Sequence, residues 1–303
     1  MHYPIIIILK ILAIFLWLLP RSPFLFLGRV TGFFLFLIGF RTKIARENLE
    51  RAFPEKTKEE KQGILRANYL HYGIVLLEFI RSFWRYGDFV KEQCVVEGES
   101  NLRAALEKGK GVLVFTAHIG NWELLPAAGA SLLHVPSTMV TKHLKPEWLH
   151  DFIVSERESV GVKMAFEPRT MQTVLRALGK KEIVGFVMDQ YMGAPFAARV
   201  PFFGIPVGSQ IALATIAGRM EAPVVPASVY RRADGRYVVS FEAEMPLSKS
   251  SDREQAVLEN TANYVKKTEE WVRERPEQWL WIHRRWKGNL SPLAPNSVGE
   301  FVK

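Results

Sequence analysis

Cysteine is almost absent: Cys94 is the only one in 303 residues. No intrachain disulfide can form, a composition that suits a reducing compartment. The seven histidines show no H-x-H, H-E-x-x-H or zinc-type pairing, so no metal site is expected. Zinc-finger spacing and RNA-recognition signatures are missing too, and nucleic acid is not an expected partner. G-E-S-N-L at 98–102 lacks the final glycine of a nucleophile elbow and does not support a serine hydrolase. No linker or low-complexity tract divides the chain after residue 45, so one catalytic domain over 44–303 is the simplest organisation.

What is present begins with apolar sequence. Pro4 to Pro20 is interrupted only by Lys10, and Pro23 to Phe40 only by Arg29. The first stretch is near the lower length limit for a spanning helix. Arg41, Lys43, Arg46 and Arg51 follow, and the positive-inside rule puts them on the cytoplasmic side. A cleaved signal peptide fits poorly, because no basic segment precedes the apolar run and R-S-P after Pro20 is a poor cleavage site. Residues 1–43 are therefore expected to be a membrane anchor, with a spanning helix over about 4–20 and an interfacial segment over 23–40. The net charge of +9 then points to an anionic membrane surface and a phosphorylated lipid. Ordinary solubility charge is the plainer alternative.

Beyond the anchor, helical and strand-like patterns alternate. Ile44 to Phe53 reads as a short basic helix ended by Pro54. Thr57 and Glu60 form a capping box before an amphipathic helix reaching Phe83. Strand-like runs cover Val95–Val96, Val112–Phe115, Ser137–Thr141, Glu182–Met188, Val224–Tyr230 and Tyr237–Glu244, and Asp234–Gly235 marks a hairpin between the last two. Helices are expected from Ser100 to Lys108, Trp148 to Ser159, Thr170 to Leu178, Val207 to Arg219, and from a Ser251/Glu254 capping box to about Arg273. Pro276 is expected to open a further short helix carrying Trp279, Trp281, His283, Arg284, Arg285 and Trp286. Tryptophan interleaved with arginine suits a membrane-interface belt or a stacking surface. The tail after Lys287 reads as irregular. The whole predicts an α/β fold, a mixed, mostly parallel sheet flanked by helices, with an N-terminal membrane-anchoring helix.

The chemistry is concentrated between Lys108 and Gly129. A buried strand ends near Thr116, and Asn121 is a good N-cap for a following helix. His118 then lies in the turn and Glu123 in the first helical turn, where open α/β sheets bind ligands. Across such a turn the carboxylate can orient the imidazole, and the pair can take a proton from a hydroxyl. By spacing alone, a turn-capping histidine and a helix-start glutamate are an equally good reading. Asp189 and Gln190 end the strand-like run 182–188, on the same rim if the strands are parallel. Arg169 precedes the helix at Thr170. Phe202, Phe203 and Gly204 sit in a Pro/Gly-bounded loop, for which a core-facing aromatic turn is the plain alternative.

H-x4-D/E is the hallmark of the glycerolipid acyltransferase superfamily. The string H-I-G-N-W-E at 118–123 resembles the branch that acylates lipid A late in its synthesis. A-R-E-N-L-E-R-A-F-P (45–54), M-D-Q (188–190), V-P-F-F-G-I-P (200–206) and P-E-Q-W-L-W-I-H-R-R-W-K (276–287) resemble that branch in the same order. The resemblance implies transfer of an acyl chain from acyl-acyl-carrier-protein, a co-substrate rather than a cofactor, to a hydroxyl of a lipid A precursor. It implies a bacterial inner-membrane protein with its catalytic domain on the cytoplasmic side. His118 would be the general base, and Glu123 would orient it and stabilise its protonated form. Arg169, with backbone N–H groups at the Asn121 helix start, would stabilise the oxyanion. Asp189 would orient neighbouring groups. Asn121, Trp122, Gln190 and the 202–204 loop would shape the substrate site. The 276–287 segment would be a helix near the active site with a basic, membrane-facing edge.

Overall fold

The structure, a computed structural model, is described over residues 3–287. The expected irregular tail after Lys287 lies outside the described residues. The chain opens with α1 (Tyr3–Leu18), α2 (Arg21–Leu37), α3 (Thr42–Ala52), α4 (Lys58–Arg81) and α5 (Tyr86–Gln93). Then β1 (Cys94–Glu97), α6 (Glu99–Glu107), β2 (Val112–Thr116), α7 (Leu124–Ser131) and β3 (Ser137–Val140) follow. Next come α8 (Glu147–Glu158), β4 (Val162–Ala165), α9 (Thr170–Gly179) and β5 (Ile183–Val187). The last part holds β6 (Ala197–Phe202), β7 (Ile205–Gln210), α10 (Ala212–Met220), β8 (Val224–Arg231), β9 (Tyr237–Phe241), α11 (Arg253–Glu274) and a 3-10 turn at Pro276–Gln278.

Seven strands form one sheet in the order β1-β9-β8-β2-β5-β3-β4. Every pairing is parallel except β8 with β9, the expected hairpin. Central β2 is buried along its whole length, as a continuous apolar run between helical layers requires. Its alternating residues feed two cores: Leu113 and Phe115 face one side with Trp271 and Trp279, while Val112 and Val114 face the other with α5 and α7. Helices thus cover both faces.

The α4 start follows the sequence expectation. Thr57 Oγ1 accepts from the Glu60 N–H at 3.2 Å, and Glu60 Oε2 accepts from the Thr57 N–H at 2.7 Å. Other boundaries differ. Asp252, not Ser251, caps α11, accepting from the N–H groups of Glu254 and Gln255. Gly98 precedes α6, so Ser100 lies inside the helix. Residues 207–210 belong to β7 rather than to a helix, and β6–β7 is an antiparallel hairpin apart from the main sheet. After Gln278 the chain is not helical. Trp279, Trp281 and Trp286 are buried in the core and form no surface belt.

The N-terminus departs most from expectation. Among the described residues no single helix is long and apolar enough to cross a membrane. The 16 residues of α1 make about 24 Å of helix, short of a hydrocarbon core of about 30 Å. Only α2 and α3 taken together have the length and apolarity of a span, and they are bent by 91° between them. Instead α1 and α2 both lie against α4. A Cβ on Gly32 would sit 2.0 Å from the Tyr69 carbonyl oxygen, and one on Gly73 2.2 Å from the Gly32 nitrogen. Glycine at both positions lets the α2 and α4 backbones touch. The outer faces keep Ile8, Ile11, Phe15, Phe26, Phe34 and Leu37 exposed.

Candidate active site

Parallel pairing in register brings the chemistry together. Thr116 at the end of β2 is level with Val187 at the end of β5. Two residues further along each strand stand His118 and Asp189. His118 Nδ1 lies 2.7 Å from Asp189 Oδ1. The His118 backbone N–H donates to Oδ2 at 2.9 Å, and Trp279 Nε1–H donates to the same oxygen at 2.7 Å. A carboxylate with these neighbours acts as acceptor, so Nδ1 carries the proton and Nε2 keeps the basic lone pair. The Gln190 amide nitrogen lies 3.2 Å from Nε2.

Charge follows the geometry. Burial alone would raise the Asp189 pKa, but the His118 charge, the His118 hydrogen bonds and the Trp279 N–H hold it down at about 2. Burial alone would lower the His118 pKa, yet the Asp189 charge and hydrogen bond, with Glu123 adding to them, leave it above the ordinary 6.5. The Tyr72 hydroxyl stays protonated, because burial and then Asp189 push its pKa well up. It donates between the carbonyls of His118 and Gln278, at 2.9 and 2.8 Å.

Glu123 does not orient His118 as expected. Its Oε2 accepts from Arg157 Nη2 at 2.7 Å and Nε at 3.2 Å, and its Oε1 accepts from Trp122 Nε1 at 3.2 Å. The Trp122 ring meets the His118 ring edge-on at 4.8 Å. Glu123 therefore fixes Trp122 and neutralises Arg157, and acts on His118 through charge and packing. Asn121 caps no helix, since α7 begins at Leu124 without a side-chain cap. Its amide instead donates to buried Glu78 at 3.2 Å. Glu78 also pairs with Arg231 at 2.7 and 2.8 Å and accepts from Tyr237 at 2.7 Å. This cluster anchors the 118–123 loop to α4 and the β8–β9 hairpin. Gly120 has φ +60, and a Cβ there would meet the Val229 carbonyl oxygen at 2.1 Å, so the loop seats on β8 only with glycine.

Arg169 is exposed at the start of α9. It follows edge strand β4, three strand spacings or about 14 Å from β2, so the structure does not bring it to His118. Phe202 packs on Trp279 and Trp286, and Phe203 on Phe53 and Trp286. Phe203 (φ +51) and Gly204 (φ +71) make the tight turn of the β6–β7 hairpin. The phenylalanines are core residues that support Trp279.

Several contributors had no role assigned from the sequence, although Asn48, Gln278, Trp279 and Arg285 lie within the strings 45–54 and 276–287. The segment from Gln278 to Leu280 straps the His118 loop: the Gly120 N–H donates to the Gln278 carbonyl at 2.9 Å and the Leu280 N–H to the His118 carbonyl at 3.0 Å. Asn68 holds this strap through the Trp279 carbonyl at 2.7 Å, and Asn48 holds its continuation through the Trp281 carbonyl at 2.7 Å. Fully buried Arg285 donates to the carbonyls of Gln190 and Gly208, at 3.0 and 2.9 Å, and to Ser209 Oγ at 2.6 Å. Burial lowers its pKa to about 10, with Asp189 opposing. Among the described residues no group of three or more His, Cys, Asp or Glu side chains is arranged to hold a metal ion.

Beside Trp122 and Glu123 opens an apolar groove of about 330 Å³, walled by Tyr72, Val75, Leu76 and Phe79 of α4 and by Leu35 of α2. A base with an oriented, raised-pKa imidazole beside a hydrocarbon-lined groove can deprotonate the hydroxyl of an amphiphile.

The family model of the bacterial lipid A biosynthesis acyltransferases matches residues 1–288. The chain is 27% identical over 290 residues to the lipid A biosynthesis palmitoleoyltransferase of Escherichia coli K12, covering 94% of this chain and 92% of that protein. It is 25% identical over 285 residues to the lipid A biosynthesis lauroyltransferase of the same organism, covering 90% and 89%. It is also 25% identical over 203 residues to a phosphatidylinositol mannoside acyltransferase of Mycobacterium tuberculosis, covering 65% and 61%. With the match running through the helical hairpin, the His118 loop and the Trp279 strap alike, the chain belongs to the bacterial lipid A biosynthesis acyltransferase family.

Proposed function

We propose that this acyltransferase moves a fatty acyl group from acyl-acyl-carrier-protein to a hydroxyl on an acyl chain of a lipid A precursor, forming an acyloxyacyl ester. The observation that carries the reading is the His118–Asp189 pair, which puts the proton on Nδ1 and the basic lone pair on Nε2. Nε2 takes the proton of the acceptor hydroxyl as its oxygen attacks the thioester carbonyl. The C–O bond forms, the tetrahedral intermediate collapses, the C–S bond breaks, and the thiolate leaves with the proton from Nε2. Asp189 stabilises the imidazolium in between. We assign the developing oxyanion to the Gln190 amide, which meets Nε2 at rest and turns to the substrate when the acceptor hydroxyl takes its place there; this is the part the resemblance implied for Arg169.

The groove along α4 accepts hydrocarbon, at about 0.8 kcal/mol per buried CH2. The exposed apolar faces of α1 and α2 rest in the cytoplasmic leaflet of the bacterial inner membrane, with Arg41, Lys43 and Arg46 toward anionic headgroups. The anchor is then an interfacial hairpin. No cofactor enters the scheme.

The test is acyl transfer in membranes containing the chain, offering labelled lipid A precursor and a set of acyl-carrier-protein thioesters. A mass gain of one acyl chain that falls roughly 10²–10⁴-fold in His118→Ala establishes the reaction. No gain with any donor, in folded membrane-bound protein, rejects lipid A precursor as acceptor. The similarity to a phosphatidylinositol mannoside acyltransferase favours another glycolipid acceptor as the second reading, examined in the same assay.

A further inference from the structure

Two glycines stand where glycine is costly and nothing nearby requires it. Gly185 is in the middle of β5, and Gly129 is inside α7. Glycine weakens both a strand interior and a helix interior. Neither residue has a positive φ. A Cβ on Gly129 would meet no atom within 4 Å, and one on Gly185 only the Thr138 carbonyl oxygen, at 3.9 Å. Both line one cavity, which runs between α7 and the face of β2, β5 and β3. What the two glycines provide there is room.

The cavity has the dimensions and the place of a slot for one chain. Val114, Leu125, Met139 and Ile183 wall it, and Trp122 stands at its upper end. It holds about 460 Å³ of open space, of which only about 30 Å³ is wide enough for water. Gly185 and Val187, which line it, stay partly exposed although β2 and β3 flank their strand. Thr116 and Val187 lie two residues before His118 and Asp189. Further down, the lining stops at Ser137 and Ile183, which are level with each other. From Val187 to Ile183 the strand covers about 13 Å, the length of about ten carbons of extended chain. Trp122 lines this slot and the α4 groove alike. Two hydrocarbon sites therefore meet at the residue whose ring packs on His118.

We propose that the slot holds the acyl chain of the donor thioester and that Gly185 and Gly129 set the length it accepts, while the α4 groove holds a chain of the acceptor. The groove shares Leu35 with α2, whose outer face is apolar and exposed, so a lipid can enter it from a membrane. The slot lies inside the α/β domain and has a lower end, which suits one chain of limited length handed over by a carrier. The chain passes Trp122 and leaves its carbonyl carbon beside His118. The inference rests on the transfer reaction proposed above.

Two measurements test it. Transfer is followed with donor thioesters of graded chain length in Gly185→Val, Ile183→Ala and Leu76→Trp, with thermal unfolding as the folding control. Gly185 stands two residues above Ile183, so Gly185→Val should shift the preferred donor about four carbons shorter. Each methylene kept out of the slot costs about fourfold, so kcat/KM for the donor the wild type prefers should fall roughly tenfold or more. Ile183→Ala, at the lower end, should shift the preference toward longer chains. Leu76→Trp, in the α4 groove, should keep the donor profile and raise the acceptor KM. An unmoved profile in folded Gly185→Val or Ile183→Ala overturns the inference, as does an equal loss with every donor. So does a donor profile that moves with Leu76→Trp instead. The second measurement needs no turnover: a carrier-protein thioester with a diazirine at its chain end is cross-linked to the His118→Ala protein. Cross-links should fall within 125–139 or 183–187, and cross-links confined to 72–79 of α4 overturn the inference. A wild-type protein inactive with every donor and acceptor rejects the proposed reaction, and the cross-link then decides the slot.

Discussion

Replacing Asp189 by asparagine discriminates most sharply between the two carboxylates near His118. Asp189 receives three hydrogen bonds: two on Oδ2, from the His118 backbone and Trp279, and one on Oδ1, from His118 Nδ1. An asparagine oxygen in place of Oδ2 keeps the first two, so the loop and the strap stay anchored. Its NH2 group then faces Nδ1 and donates to it. The imidazole is driven into the other tautomer, with Nε2 protonated and useless as a base. In a serine-protease triad the same change of tautomer costs about 10⁴-fold in kcat, and a loss on the order of 10³–10⁴-fold is expected here. The pH profile carries a second signature. Activity needs deprotonated Nε2, so kcat/KM rises with pH through the His118 pKa, which Asp189 keeps above 6.5 against the effect of burial. Without that charge burial prevails, and the acid limb moves below 6.5 as the plateau falls. The assay is acyl transfer across pH with thermal unfolding as the folding control. A folded Asp189→Asn enzyme with less than about tenfold loss and an unmoved limb would refute the assignment. If Glu123→Gln alone gave this signature, Glu123 would be the orienting group.

Other expectations follow from the same geometry. Glu123→Gln leaves the buried Arg157 guanidinium unpaired and should destabilise by about 3–5 kcal/mol in urea unfolding; Arg157→Met in the same chain should restore part of that loss. His71 is held neutral, its pKa lowered to about 3 by burial and then by Arg231, while the unfolded chain titrates near 6.5. The unfolded state therefore binds more protons between these values, and stability should fall as pH drops from 6.5 toward 3. The Asp189 contribution behaves differently: it is fully present above 3.8 and is lost as pH falls through about 2, so the fall in urea midpoint between pH 6.5 and 4 excludes Asp189 and reports His71 together with His283, whose pKa burial also lowers. Gly32→Leu, whose first side-chain atom would overlap the Tyr69 carbonyl, should part α2 from α4 and lower the urea midpoint. Gly63→Ala on α4, with no atom within 4 Å of the new Cβ, should raise stability by about 0.4–1 kcal/mol.

What could be read in the sequence, and what could not, divides by the range of the forces involved. The strands β2, β3, β5, β8 and β9 were legible because each is a short apolar run bounded by turn residues, and the Thr57–Glu60 cap because both partners lie within one helical turn. At the N-terminus local hydropathy reports apolar faces but cannot tell whether lipid or α4 will cover them: no single described helix is long and apolar enough to cross a membrane, and Gly28, Gly32 and Gly73 commit part of α2 to α4. The hydrogen-bond partner of His118 lies at greater distance in the chain than Glu123, whose charge still raises the His118 pKa. Spacing makes His118 and Glu123 neighbours in the chain, yet strand register puts Asp189, 71 residues away, against Nδ1, and Arg157 takes Glu123. The clue was there in the shared rim of two parallel strands, which placed Asp189 beside His118 before any partner could be named. Trp279 and Arg285 were harder still. A tryptophan–arginine stripe has the composition of a surface belt, and only the seating of residues 278–280 on the His118 loop turns it inward. Resemblance thus located the active-site strings, while the division of labour between Asp189 and Glu123 was decided by which cation and which imidazole the sheet delivered to each.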